Sequence, residues 1–345
     1  MTRSDVISPT VGQGAPRRPA FISVSVVIEL DNLAHAELDR PKKLLAELES
    51  QAGALQSQDA QAPMRLSGPL DLVATYDCTK ADENDIRRAL GDLVKGSASL
   101  NVRVLPVSGV YCKQKNAGAA ITTGDIIVFL DCDVIPEPNW LASFLQAFSD
   151  PRVSVAVGNT YVDTSRGDAY SRSMALTWMF PLRDPRGGLT QTHWFYANNV
   201  AFRRETFLSR QFPDTPGLKH IPAMLLVERL TRDGIPLWHV GDARGAHPAP
   251  NGPVHFVKRA VSAGRAQAFK ERSVTGSTMV RWIRDYVTAL AYGAKRIVLE
   301  GFKVGMRWWQ VPAAIGYALA YATLMLTGAF VTVIAPELMR DRFQI

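Results

Sequence analysis

The sequence predicts an α/β chain: a doubly wound, mostly parallel sheet flanked by helices, followed by a helix at a membrane interface and one transmembrane helix. Over residues 21–160, apolar runs short enough for strands alternate with helical stretches, the pattern that builds a parallel sheet. One of those runs, Ile126–Leu130 inside GDIIVFLDCD (124–133), contains no polar residue, which suits a strand covered on both faces. Far down the chain, VPAAIGYALAYATLMLTGAFVTVIA (311–335) carries no charge over 25 residues.

Each element has its own local reason. Ser23–Ile28 (SVSVVI) reads as the first strand, and Leu44, Leu45 and Leu48 share one face of a helix from about Asp39 to Gln51. Residues 51–68 are polar and alanine-rich and read as a variable excursion. Leu70–Tyr76 is a second strand ending at Asp77; Asp82–Val94 is a helix with acidic residues in its first turn, where they suit the dipole. Val102–Pro106 is a third strand and 126–130 a fourth, stopped by Pro136 and Pro138. Asn139 is expected to cap a helix whose Leu141, Phe144, Leu145 and Phe148 form one stripe, before a strand at Val153–Val157. Sheets of this kind bind ligands outside the carboxyl ends of their strands, where Asp77, Asp131 and Asp133 lie.

The 345 residues are 47% hydrophobic and 21% charged, a globular balance. A net charge of +7 suits a polyanion: nucleic acid, an anionic bilayer or a phosphate-bearing substrate. The basic residues are spread along the chain rather than gathered in an arm, which argues against nucleic acid. Cys78, Cys112 and Cys132 form no C-x-x-C pair, so a reducing compartment is expected and a structural zinc is not. The first twenty residues lack an apolar h-region, so no secretory signal is expected.

The uncharged run of 311–335 spans about 37 Å as a helix, enough to cross a hydrocarbon core of about 30 Å with some tilt. Trp308 and Trp309 before it resemble an interfacial belt. A buried core helix is the alternative. Lys295, Arg296, Lys303 and Arg307 precede the run and only Arg340 and Arg342 follow, so the N-terminal bulk is expected in the cytoplasm, anchored at the inner membrane by a single pass. Between Arg281 and Phe302 an apolar stripe (Ile283, Tyr286, Val287, Leu290, Ile297, Val298) carries basic residues among it: a basic interfacial helix or an ordinary surface helix.

Asp131 and Asp133 are separated by one residue at the end of a buried strand. Side chains at i and i+2 of a strand share a face, about 7 Å apart. Two carboxylates there repel by about 2.4 kcal/mol at an effective dielectric of 20, so something positive belongs beside them. A divalent ion, Mg²⁺ or Mn²⁺, bridging to substrate phosphates is one answer; a structural or solvated pair is the other.

KNAGAAITTGDIIVFLDCDVIPEPNWL (115–141) resembles the centre of a family-2 glycosyltransferase of the GT-A fold: N-x-G, a short helix, G-D, an apolar strand, then D-x-D, Pro and Trp. SVVIELDN (25–32), VATYDCT (73–79), ANNVAFRRETF (197–207) and RLTRDGIPLW (229–238) resemble further segments of that family in the same order, over roughly residues 21–250. The resemblance implies a GT-A-like domain over 21–260 (nucleotide-binding half 21–160, acceptor half 161–260). A membrane-interface segment at 261–307, a transmembrane helix at 308–336 and tails at 1–20 and 337–345 complete the expected organisation.

It implies that Glu29, Asp77, Lys115, Asn116 and Asp131 contact the donor, with Glu29 where the family usually has proline. Asp131, Asp133 and His247 would hold the metal, and Trp194, Asn198 and Asn199 would lie on the acceptor side. The chain departs from the family at Tyr76, where a first acidic residue is usual, and at Pro222 and Ala223, where the E-D pair carrying the general base is expected. Glu228 is the nearest acid and stands as the candidate base. The implied activity is inverting sugar transfer from a nucleotide-sugar donor to a lipid-linked or polysaccharide acceptor. The alternatives are a non-catalytic sugar-nucleotide-binding or scaffold protein and a metal-dependent nucleotidyltransferase.

Overall fold

A computed structural model describes residues 20–31, 33, 39–57, 64–109, 111–215, 221–274 and 279–336. In chain order the elements are β1 (Ala20–Ile22), β2 (Val24–Glu29), α1 (Arg40–Gln56), β3 (Met64–Leu66), β4 (Leu70–Asp77), α2 (Glu83–Leu90), β5 (Leu100–Val107), α3 (Tyr111–Ala120) and β6 (Ile126–Asp131). There follow β7 (Ile135–Pro136), α4 (Trp140–Phe148), β8 (Val155–Val162), α5 (Ala169–Thr177), β9 (Leu189–Thr192), β10 (Asn199–Arg203), α6 (Arg204–Leu208), α7 (Ile221–Arg232) and β11 (Leu237–His247). The described chain closes with α8 (Gly252–Val274), α9 (Met279–Glu300) and α10 (Val311–Ile334). The tails expected at 1–20 and 337–345 fall, but for Ala20, outside the described residues.

The main sheet has the order β5-β4-β2-β6-β10-β8-β11-β7, with β9 on β11. β5, β4, β2 and β6 run parallel, β10 is antiparallel to both β6 and β8, and β8 and β11 are parallel. Six strands therefore run one way, as expected of a mostly parallel sheet; antiparallel β10 is threaded through the centre, and β7 and β9 are antiparallel to β11. Side chains alternate across each strand. In β2, Val26 and Ile28 meet α1, α2 and α4, while Val27 meets the layer holding α3 and α7. Gly118 of the N-x-G motif seats α3 on the sheet: a Cβ there would stand 2.5 Å from Val27 Cγ1.

Two local expectations change. Asn139 does not cap α4 with its side chain but adopts the left-handed conformation, at φ 70°. The Leu141 N–H instead bonds Gln51 Oε1, 2.9 Å away, because α1 continues to Gln56 and lies alongside. The excursion expected at 51–68 is thus helix in its first part and strand β3 near its end.

The parallel strands end level. Glu29 sits beside Asp131 and beside Thr75, and Asp77 closes β4, so the acidic residues gather on the carboxyl edge. At the opposite edge a hollow of about 730 Å³ is lined by Asp71, Lys95 and Arg103; Arg103 and Asp71 neutralise one another through a paired salt bridge.

The C-terminal helices pack on α5. Gly264 of α8 and Gly328 of α10 mark a close crossing: a Cβ on either would fall within 2.2 Å of the opposite backbone, at Met325 O and Val261 O. Trp308–Ile334 is long and apolar enough to cross a membrane by length and composition, and 28% of its most apolar window is buried. A core helix would be mostly buried; this one presents most of its surface outward.

Candidate active site

Asp131 is the last residue of β6 and its carboxylate is fully engaged. Lys115 of α3, 0% exposed, places Nζ 2.7 Å from Asp131 Oδ1, and the Tyr111 hydroxyl donates to both carboxylate oxygens at 3.0 and 3.1 Å. The ammonium also stands 4.6 Å from the Tyr111 ring centroid, a cation–π contact. The positive group required beside the aspartates is therefore a buried lysine, supplied by one turn of α3 that carries tyrosine and lysine four residues apart on one face. Burial, then the charges of Asp131 and Glu29, push the Tyr111 hydroxyl well above the ordinary tyrosine value, so it stays protonated and donates. Glu29 is buried alongside and accepts the Asp31 N–H at 3.0 Å.

Asp133 does not share a strand face with Asp131. The strand stops at Asp131 and a turn follows, closed by the Val134 N–H on the Asp131 carbonyl at 3.1 Å. Buried Arg40 buckles that turn to the end of β11: Nε donates to the Asp133 carbonyl at 3.0 Å, Nη2 to the Ala246 carbonyl at 2.8 Å, and Nη1 pairs with Asp163 at 3.1 Å. His247, next after Ala246, is thereby brought with Nε2 3.6 Å from Asp133 Oδ1; both side chains are about 3–4% exposed.

The tautomer follows from the partners. His247 Nδ1 lies 2.6 Å from the Pro248 carbonyl, which can only accept, so Nδ1 carries the hydrogen and Nε2 presents a lone pair. Burial lowers the His247 pKa, outweighing the pull of the Asp133 charge, so the ring is neutral near pH 7. Asp133 Oδ1 is buried with no hydrogen-bond partner. Two electron-pair donors thus face one another with no proton between them, which fits a cation. Among the described residues no three His, Cys, Asp or Glu side chains gather as a metal cluster. Two protein ligands suit an ion of the Mg²⁺ or Mn²⁺ type, which shares its coordination with phosphates and water.

The other expected site residues are placed as follows. Asp77 accepts the Thr79 N–H and hydroxyl at 3.0 and 2.7 Å and pairs with Lys80 at 3.2 Å. Burial pushes its carboxyl up, but those bonds win and hold it below the ordinary range. Asn116 spends both amide atoms on the backbone of Phe212, pinning α3 to the segment after α6. Asn199 is likewise turned inward, accepting from Trp140 Nε1 and donating to the Ala243 carbonyl. Asn198 and Trp194 line a cavity of about 360 Å³ together with Tyr111, Asp131, Phe180, His247 and Arg259. Ala223 also lines it, so the position expected to carry the base does reach the site, and holds a methyl group. Glu228 is exposed and, five residues further along α7, points about 140° around the helix from Ala223.

Comparison with known proteins agrees with this geometry. Residues 82–209, which contain the Asp131–Asp133 turn, match the family described as Glycosyl transferase family 2. That match covers a segment of the chain and includes the strand end at Asp131. A glucosyl-dolichyl phosphate glucuronosyltransferase from Haloferax volcanii is 27% identical over 164 residues, 45% of this chain and 50% of that protein. The chain therefore spans about half the length of this curated relative. Among solved structures, GalNAc-T7 with UDP, GalNAc and Mn2+ matches 73% of this chain and 51% of that one, with a TM-score of 0.50 and 16% identity. The mannosyltransferase PcManGT from Pyrobaculum calidifontis, in complex with GDP-Man and Mn2+, matches 97% and 88%, with a TM-score of 0.45 and 16% identity. The fold is that of the GT-A glycosyltransferases.

The structure adds residues that sequence reasoning missed. Tyr111 completes the Asp131 site, and its four-residue offset from Lys115 was a usable signal. Arg40 bonds a carbonyl 206 residues further along the chain, which no local pattern announces. Trp178 and Phe180 pack on the His247 ring with centroids 5.3 and 4.9 Å away, and Trp178 Nε1 donates to the Tyr321 hydroxyl of α10 at 3.1 Å. The imidazole and the apolar C-terminal helix are thus two contacts apart.

Proposed function

We propose that this chain transfers a sugar, with inversion, from a nucleotide-sugar donor to a membrane-associated acceptor, lipid-linked or polysaccharide, with a divalent metal assisting. The observation that carries the reading is the Asp133–His247 pair, two lone-pair donors facing across 3.6 Å at the carboxyl edge of a family-2 segment. Asp133 and His247 would hold Mg²⁺ or Mn²⁺, which when bound neutralises charge developing on a departing diphosphate. Asp77, kept ionised by Thr79 and Lys80, stands where the nucleotide base is expected. Lys115 and Tyr111 fix Asp131 at the cavity wall, where Phe180, Trp194 and Phe195 supply apolar lining.

An acceptor carried on lipid is supported by the name of the Haloferax volcanii relative and by α10. In this reading residues 21–260 form the catalytic domain on the cytoplasmic face of the inner membrane, by the excess of Lys and Arg before the span. Nucleic acid has no part in it. The exposed Ile283, Val287, Val298 and Leu299 of α9 favour a helix lying at the membrane interface.

Incubating membranes that contain the chain with labelled nucleotide sugars tests the proposal. Labelled lipid or polymer is expected with wild type and Mn²⁺, and none with Asp133→Ala. The presence of Ala223 at the cavity wall favours one second reading, a protein that binds sugar nucleotide without transferring it. Metal-dependent nucleotide binding with no transfer to any acceptor would select that reading.

A further inference from the structure

Behind the cavity lies a second hollow, an open groove of about 340 Å³ between β8, β9 and β11. Antiparallel pairing sets Thr190 opposite His239 and Thr192 opposite Leu237, so Thr190, Thr192 and His239 face the same side. Asn159 of β8 lines the groove, 3% exposed, and its amide oxygen has no hydrogen-bond partner. Trp194, 41% exposed, and Tyr196 form the wall shared with the cavity of Asp131 and His247. The Tyr196 hydroxyl is bound to the Met179 carbonyl, so it offers the groove a ring rather than a donor.

We propose that this groove is a second binding site, for an uncharged saccharide, separated from the donor cavity by Trp194 and Tyr196. Its chemistry selects the ligand class. None of the described residues lining it is Asp, Glu, Lys or Arg, so a phosphate or nucleotide has no counter-charge there. His239 adds none near pH 7, since burial lowers its pKa against the opposing pull of Asp184. Threonine hydroxyls, an amide and an imidazole offer donors and acceptors to a polyhydroxylated ligand, and an exposed indole offers a flat face to its C–H groups. The volume falls in the range of small-molecule sites, about 300–1,000 Å³. Naming the occupant as the sugar of the acceptor rests on the transfer reading above; saccharide binding itself does not.

Binding of the methyl glycosides of glucose, galactose, mannose and N-acetylglucosamine to the full chain, in a detergent without a sugar headgroup, tests the site. Saturation-transfer NMR reads the sugar and calorimetry reads UDP or GDP with Mn²⁺. At least one glycoside is expected to bind, with or without saturating nucleotide. The double variant Thr190→Val, Thr192→Val keeps the branched shape and removes the hydroxyls; it should weaken the glycoside about tenfold and leave nucleotide binding unchanged. Trp194→Ala should lose the glycoside and Trp194→Phe retain part of it. The assignment is overturned if no glycoside binds, whatever the nucleotide does. It is equally overturned if binding persists in the double variant or is displaced by nucleotide sugar, which puts the sugar in the donor cavity. Glycoside binding without nucleotide binding would uphold the groove and count against the transfer reading.

Discussion

Deprived of Asp131, the buried Lys115 ammonium would lose the carboxylate it bonds, and removing one partner of such a pair costs about 3–5 kcal/mol. Asp131→Asn is therefore expected to lower stability by about that amount in urea unfolding. Asp133 is a different case, because its Oδ1 has no protein hydrogen-bond partner to abandon. Asp133→Ala should keep the wild-type unfolding midpoint closely and abolish Mn²⁺-dependent nucleotide-sugar binding by calorimetry; unchanged binding would remove Asp133 from the metal site. Glu228 was the sequence's choice of base, and its place on the outer face of α7 argues against that role. Glu228→Gln is expected to leave transfer within twofold of wild type, where loss of a positioned base lowers rates by about 10²–10⁴.

Among the elements, the loop between α5 and β9 is tied to the residue after β7 by a carboxylate. Glu137 accepts from Arg183 at 2.6 and 2.9 Å and from the Tyr161 hydroxyl at 2.6 Å. The Arg183 bonds, against burial and with Tyr161, hold its carboxyl below the ordinary glutamate range. A depressed folded-state pKa contributes stability that is full above the unfolded value, about 4.3, and is lost as pH falls through the folded value. Glu137→Gln should thus destabilise the chain at pH 7, and the difference from wild type should shrink as unfolding is followed down from pH 5. A difference independent of pH would mean that Glu137 acts through shape alone. Arg183 is about half exposed, so the effect belongs with modest surface pairs.

At the scale of the whole molecule, the sheet domain and the apolar helix α10 are packed together. α10 leans on α5, crosses α8 at the Gly264–Gly328 contact and touches the site wall at Trp178. The full chain is expected to resist alkaline carbonate extraction, and a chain ending at Gly305 to lose that resistance; release of the full chain would exclude a span. The alternation of strands and helices over 21–160 was legible because buried parallel strands must be apolar on both faces, whereas the antiparallel β10 was not. Strand direction leaves no mark on a five-residue run such as Asn199–Arg203.

The sequence by itself determined that acidic residues end the parallel strands, that a family-2 pattern runs through 115–141, and that an uncharged helix follows. These are local matters, set by periodicity and spacing along a few dozen residues. Only the tertiary structure decided that Lys115 neutralises Asp131, that the chain turns between Asp131 and Asp133, and that Arg40 carries His247 to Asp133 Oδ1. It also placed Ala223 in the cavity and Glu228 outside it. Where a charge finds its partner depends on which distant strands lie side by side, and that is fixed by burial of the whole core rather than by the residues flanking the charge.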